Sequence, residues 1–154
     1  MLEQYFATIY TKFKMRFYGM VFNQFETREA SLSAVEVFCV EVIYALGRPT
    51  VNEFATFAKI SPPNAAYKIN SLITKGYIQK VRSKVDRREF HLEVTEKYLD
   101  YYGITYDYIG VVMKRIRERF SEEEVTQFEE MLEIISTDLM PEVEINRTFK
   151  YKEK

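Results

Sequence analysis

The apolar period of this chain changes at Gly76, and no other feature constrains the fold as much. Before that residue apolar side chains recur every three or four positions, and after it every second. From Thr50 to Gly76 the pattern predicts two short helices. Thr50 with Glu53 has the spacing of a capping box, and Val51, Phe54, Ala55 and Ala58 follow the helical period. A break at Lys59 and Ile60 leads to Ser61-Pro62-Pro63. Two prolines fit a first helical turn because the N–H groups they lack would have no partner there. The second helix turns Ala66, Ile69, Leu72 and Ile73 inward, with Asn64, Tyr67, Lys68, Ser71 and Lys75 outward, and Gly76 supplies a left-handed stop. Beyond it, Tyr77 to Val81 pairs with a strand in which Phe90, Leu92 and Val94 point inward and Glu89, His91 and Glu93 outward. Helix, turn, helix and β-hairpin make a winged helix-turn-helix.

Charge gives that pattern a direction. Residues 59–88 hold eight Lys or Arg against the single acid Asp86, in a chain whose net charge is −1. The hairpin loop alone carries Arg82, Lys84, Arg87 and Arg88. A charge run is most often a solvated face. A basic stripe on a helix-turn-helix is instead the electrostatic footprint of phosphate binding, which points to double-stranded DNA. The helix from Ser61 to Lys75 would enter the major groove, with Asn64, Tyr67 and Lys68 at base edges and Ser61, Ser71 and Lys75 toward the backbone. Arg82, Lys84, Arg87 and Arg88 would follow the wing, with Arg87 or Arg88 in the minor groove and Asp86 fixing the arginine side chains.

The run from Leu72 to Thr95 resembles the MarR family of bacterial transcriptional regulators. The resemblance rests on Leu72, Gly76-Tyr77-Ile78, Lys80, Asp86-Arg87-Arg88 and Val94-Thr95. Pro63, Lys80 and Tyr98 depart from the residues often found in such proteins, which carry a hydroxyl residue, Arg and Gly at these positions. The resemblance extends through the order of helices and implies a repressor that binds small aromatic or amphipathic effectors. Aromatic residues make up 16% of the chain. Tyr10, Phe13, Phe17, Phe38, Tyr102 and Tyr106 are the side chains that would line an effector pocket, although an aromatic stripe at helical spacing is more often core.

The flanks read as helices. Leu2, Phe6, Ile9, Phe13, Phe17 and Met20 form a stripe in a helix running to about Glu26. Ser33 with Glu36 opens another helix ending at Gly47, with Val35, Phe38, Cys39, Val42, Ile43 and Leu46 in the core. After the wing, Thr95 caps one long helix that contains Gly103 and Gly110, which either allow a close approach or mark a bend. Ser121 with Glu124 opens a last helix running up to Pro141. The heptad spacing of both predicts a dimer interface through Leu99, Ile109, Ile116, Phe120, Phe128 and Leu132. The expected architecture is mainly α with a small β-hairpin wing: one domain over 1–154, with residues 33–94 binding a pseudo-palindromic operator and residues 1–30 and 95–145 forming a homodimer.

Catalysis finds little support. One histidine, His91, on an outward strand position cannot assemble a Ser-His-Asp or Cys-His set, and with one cysteine it cannot build a zinc site. His91 reads as incidental and exposed. No cofactor, metal site or enzymatic role is expected. Cys39 has no Lys, Arg or His within four residues, so it reads as a core residue rather than a redox sensor. No stretch resembles a signal peptide or membrane span, and a cytoplasmic setting follows. A winged-helix module for an acidic protein partner is the alternative reading, with a thiol-based redox-sensing regulator further behind.

Overall fold

Ser33, Thr50 and Ser61 start the helices that carry the core of the computed structural model. It describes residues 1–25, 32–102 and 104–145, without side-chain detail at 24, 25, 101, 102, 104 and 105. Helix α1 is Leu2–Phe25 and α2 is Ala34–Leu46. Ser33 Oγ accepts the Glu36 N–H at 3.3 Å while Glu36 Oε2 accepts the Ser33 N–H at 2.8 Å, a complete capping box. Thr50 and Glu53 do the same for α3, Val51–Ala58. Lys59 ends α3 with a left-handed φ of 53°. Helix α4, Pro62–Thr74, has Ser61 as its cap and the two prolines in its first turn. Gly76, at φ 82°, makes the turn out of α4 that a residue with a Cβ rarely makes.

Strands β1, Ile78–Arg82, and β2, Phe90–Val94, pair antiparallel, Ile78 opposite Val94 and Arg82 opposite Phe90. The Leu92 N–H donates to Pro49 O at 2.8 Å, so the segment between α2 and α3 flanks β2. Helix α5 is Glu96–Tyr102 and α6 is Ile104–Arg119, where one long helix was expected. Residue 103 lies outside the described residues, and a Cβ placed on Gly110 would meet no atom within 4 Å beyond its own helix backbone, so no close packing is built there among them. Thr95 starts α5 with its carbonyl, which accepts from Tyr98 and Leu99, whereas its hydroxyl donates to Gly76 O at 2.6 Å. Helix α7, Glu122–Thr137, opens on the Ser121–Glu124 capping box and stops short of Pro141.

Two compact units result, Met1–Thr105 and Tyr106–Lys154. The core of the first gathers Val37, Val40, Ile43, Phe54, Ala65, Ile69, Leu72, Tyr77, Ile78, Leu92 and Tyr98. In the second, Arg117 and Glu129 join α6 to α7 across 3.7 Å, and no residue of α7 is fully buried. No helix among the described residues is long and apolar enough to cross a membrane.

Several inward assignments shift. In α2 the buried positions are Val37, Val40, Ile43 and Tyr44, while Val35 and Phe38 are exposed. That helix is apolar nearly all round, so its period cannot select the packed stripe. In α4 the fully buried alanine is Ala65 and Ala66 is half-buried. At the wing, Phe90 is exposed beneath the Arg82 guanidinium, 5.5 Å from its ring centre, so only Leu92 is buried in β2. The α1 stripe is largely uncovered: Leu2, Phe6 and Ile9 are all exposed, and only Phe17, Met20 and Val21 reach the core.

Candidate nucleic-acid interface

The helix α4 turns Asn64 and Tyr67 to solvent, Tyr67 with 78% of its surface exposed. A tyrosine this open has no packing role, since its ring touches little but water. The Ser61 hydroxyl is occupied by the cap, accepting the Asn64 N–H at 3.4 Å. The Asn64 side-chain amide has no hydrogen-bond partner among the described residues. Asn70 and Thr74 continue the same exposed face. Neither was singled out from sequence, although Asn70 lies three residues, close to one helical turn, beyond Tyr67.

Lys68, Ser71 and Lys75 differ from the outward assignment. All three are half-buried at the edge of α4 that packs on α2. The Lys75 ammonium donates to both oxygens of the Glu36 carboxylate at 2.7 and 2.8 Å, and Ser71 Oγ donates to Oε1 at 2.9 Å. Burial alone would raise the Glu36 pKa. Lys75, the Ser33 N–H and the Ser71 and Ser33 hydroxyls outweigh it and hold the carboxyl at about 2. On the far side of the same turn, the Lys97 ammonium donates to Lys75 O at 2.9 Å and lies 4.6 Å above the Tyr77 ring.

The wing presents Arg82, Lys84, Arg87 and Arg88 to solvent, with Lys59 and Lys80 also exposed. Its turn is ordered from within. Ser83 Oγ accepts the N–H groups of Val85 and Asp86, each at 3.2 Å, and Asp86 Oδ1 accepts the Arg88 N–H at 2.9 Å. Asp86 therefore stabilises the wing through the backbone; among the described residues no arginine side chain lies within ion-pairing distance of it. The short carboxylate finds the N–H two residues on before it can reach a long, solvated guanidinium. His91 is not incidental: its Nδ1 lies 2.8 Å from Arg48 O, and Arg48 pairs with Glu93. Since a carbonyl only accepts, Nδ1 carries the proton. These contacts brace Arg48, whose φ of 44° is left-handed.

Cys39 is half-buried against the core, and burial raises its thiol pKa, with Lys68 opposing and Glu36 adding to the rise. Of the effector candidates, Phe17 and Phe38 meet in an apolar cleft of about 280 Å³ with Tyr18, Val21, Phe22, Ala34 and Val37. Tyr10 and Phe13 do not line it. The side chain of Tyr102 lies outside the described residues, and Tyr106 belongs to the second unit. Among the dimer candidates, Leu99 packs against the core of the first unit. Ile116, Phe120 and Phe128 line a groove of about 420 Å³ on α6 and α7 with Val125 and Met131. Leu132 is exposed and Ile109 half-buried.

Residues 32–90, which run from the start of α2 to the start of β2, match the sequence model of the MarR family. Over this segment the chain is similar to the MarR family, and the segment folds as a winged helix. No curated protein matches the sequence. The fold is similar to FabT from Streptococcus pneumoniae, solved in complex with DNA: TM-score 0.54 and 23% identity, covering 90% of this chain and 94% of that one. It is also similar to a MarR family protein from Bacillus stearothermophilus, with TM-score 0.59 and 17% identity over 90% of this chain and 92% of that one. A MepR mutant from a multidrug-resistant S. aureus clinical isolate gives TM-score 0.60 and 16% identity, over 91% and 98%. Within the matched segment lie α4, most of the wing and Glu36.

Proposed function

We propose that this chain is a sequence-specific double-stranded DNA-binding transcription regulator, a homodimeric repressor controlled by a small aromatic or amphipathic effector. One observation carries the reading: in a winged helix similar to the MarR family, the free amide of Asn64 and the open ring of Tyr67 sit at the reading end of α4, while every wing cation is exposed. Bases are read by such groups in the major groove, and phosphates are met by such cations. Residues 33–94 form the DNA-binding unit in this reading, and 1–30 and 95–145 form the dimerisation region. The exposed apolar residues of α1 and the groove on α6 and α7 support a second copy as the cover. The Phe17–Phe38 cleft supports an effector of low polarity, because its lining is wholly apolar in type apart from one tyrosine hydroxyl.

Selection of duplexes from a random pool, followed by titration at several salt concentrations, tests this. A dimer meeting roughly 6–10 phosphates gives a slope of log K against log salt of roughly −5 to −9. Recovered sites contain two half-sites about one helical turn apart. Asn64→Ala costs about 1–3 kcal/mol per half-site on the preferred duplex and little on a scrambled one. Equal loss on both duplexes removes α4 as the reader. Binding to an acidic protein with no preference among duplexes replaces the reading with a protein-interaction module.

A further inference from the structure

Glu36 performs two jobs with one carboxylate. As the third residue of α2 it closes the capping box by accepting the Ser33 N–H. With its other lone pairs it takes Ser71 Oγ and both approaches of the Lys75 ammonium, 35 and 39 residues away in sequence. Ser71 and Lys75 are one helical turn apart, so the carboxylate grips the last turn of α4 at two points. Only 16% of the Glu36 side chain and 31% of the Lys75 side chain remain exposed. A cation so engaged is a poor phosphate ligand, since leaving Glu36 would strand a half-buried charge.

We infer that Glu36 is a positioning residue for DNA reading: it fixes the last turn of α4 against α2, and with it the aim of Asn64 and Tyr67. This rests on the DNA-binding reading above. It assigns Lys75 to the clamp and removes it from the phosphate-contacting set. The sign of the effect separates it from plain electrostatics. An acid close to bound DNA repels phosphate, so removing Glu36 and freeing Lys75 would by charge alone strengthen binding to every duplex. Positioning demands the reverse on the preferred duplex, because a reader displaced by about 1 Å no longer meets its base edges.

The experiment measures Glu36→Ala, Ser71→Ala and Lys75→Met on preferred and scrambled duplexes across a salt series, with circular dichroism to confirm folding. Glu36→Ala is expected to weaken the preferred duplex about tenfold, the weight of one good base contact, and to leave the scrambled duplex unchanged or slightly tighter. Lys75→Met is expected to lose preference likewise while the salt slope stays that of the wild type. A phosphate-contacting lysine would flatten it by about 0.9 per copy. Glu36→Gln keeps the capping box through its one oxygen, can meet Ser71 Oγ only as a donor and loses the Lys75 ion pair, so it is expected to fall between wild type and Glu36→Ala. If Glu36→Ala does not fold, Ser71→Ala and Lys75→Met still decide, as both keep Ser33 and Glu36, the two residues of the α2 capping box. Parallel tightening on both duplexes after Glu36→Ala, a flattened slope after Lys75→Met, or an unaltered preference in all the variants overturns the clamp. Wild-type protein that prefers no duplex at low salt overturns the DNA-binding reading instead.

Discussion

Tyr98→Phe tests the packing of α5 on α2 in a way that pH makes specific. The Tyr98 ring is fully buried, set edge-on to Tyr77 at 6.5 Å, and its hydroxyl donates to the Glu41 carboxylate. Burial pushes the Glu41 carboxyl pKa up, and the Tyr98 hydroxyl opposes that rise. Phenylalanine keeps the ring and its contacts but removes the one donor, so the change isolates a hydrogen bond to an ionisable group. Such a bond contributes about 1.5–3 kcal/mol while the carboxyl is charged. The sign follows from linkage. A carboxyl with a raised folded pKa binds more protons folded than unfolded, so stability falls as pH rises from about 4.5 through the folded value. Without the Tyr98 donor the folded value rises further and the fall steepens.

Urea unfolding of both proteins at pH 5 and pH 7 measures this. The mutant is expected to lose about 2 kcal/mol at pH 7, near 1 M in midpoint for an m-value of about 2 kcal/mol/M, and clearly less at pH 5. Subtracting wild type from mutant cancels the other titrating groups. Equal losses at the two pH values would mean that the hydroxyl serves neutral packing, and no loss at pH 7 would mean that Glu41 is not its partner. Either result refutes the reasoning.

Ile116→Glu places a charge in the groove with Phe120, Phe128 and Met131, and is expected to give monomers or insoluble protein; a folded dimer in sedimentation removes Ile116 from the seam. Cys39→Ser is expected to leave DNA affinity unchanged, and wild-type binding is expected to survive mild peroxide, because a half-buried thiol whose pKa burial raises is a weak nucleophile. Loss on oxidation that a thiol reverses would contradict this. Glu36, depressed to about 2, contributes stability that is present above its unfolded value near 4.5 and is lost as pH falls toward 2. Discounted for solvent screening this is on the order of 1–2 kcal/mol, so acid unfolding of Glu36→Ala is expected to be flatter over that window than the wild type.

What was legible in the sequence is what is local. Each of the capping boxes at Ser33, Thr50 and Ser121 is a matter of residues three apart, and all three form as expected. The hairpin follows from a two-residue period that no helix satisfies. The inward face of α2 was not legible, because a helix apolar all round gives no stripe to choose, and the choice of Val37 and Val40 over Val35 and Phe38 is made by α4 and β2. Lys68, Ser71 and Lys75 looked like one outward row with Asn64 and Tyr67. They lie at its edge, where the packing of α4 against α2 half-buries them. Glu36 carried a complete local explanation as a capping residue, which concealed its partners 35 and 39 positions away.

The anchors of α4 are unevenly placed, and the lever this makes bears on how the helix would read DNA under the proposed function. Polar ties gather at its C-terminal end: Ser71 and Lys75 to Glu36, Lys97 to Lys75 O, and Thr95 to Gly76 O. At its N-terminal end Ser61 and Asn64 bond only within their own cap among the described residues, and Ala65 and Ile69 provide apolar packing that resists separation better than sliding. The helix has 13 residues, so about 20 Å separate the two ends. Asn64 lies about 16 Å from Lys75 along the helix, so pivoting at the anchored end by about 5° moves it by roughly 1.4 Å, enough to carry a donor from about 2.9 Å out of hydrogen-bonding range. The same motion leaves the flexible wing lysines and arginines able to follow phosphates, whose attraction falls off over about 8 Å at physiological salt. Under the proposed DNA-binding role, a small shift of α2 or α5 would therefore change which sequence is bound far more than how strongly DNA is bound at all.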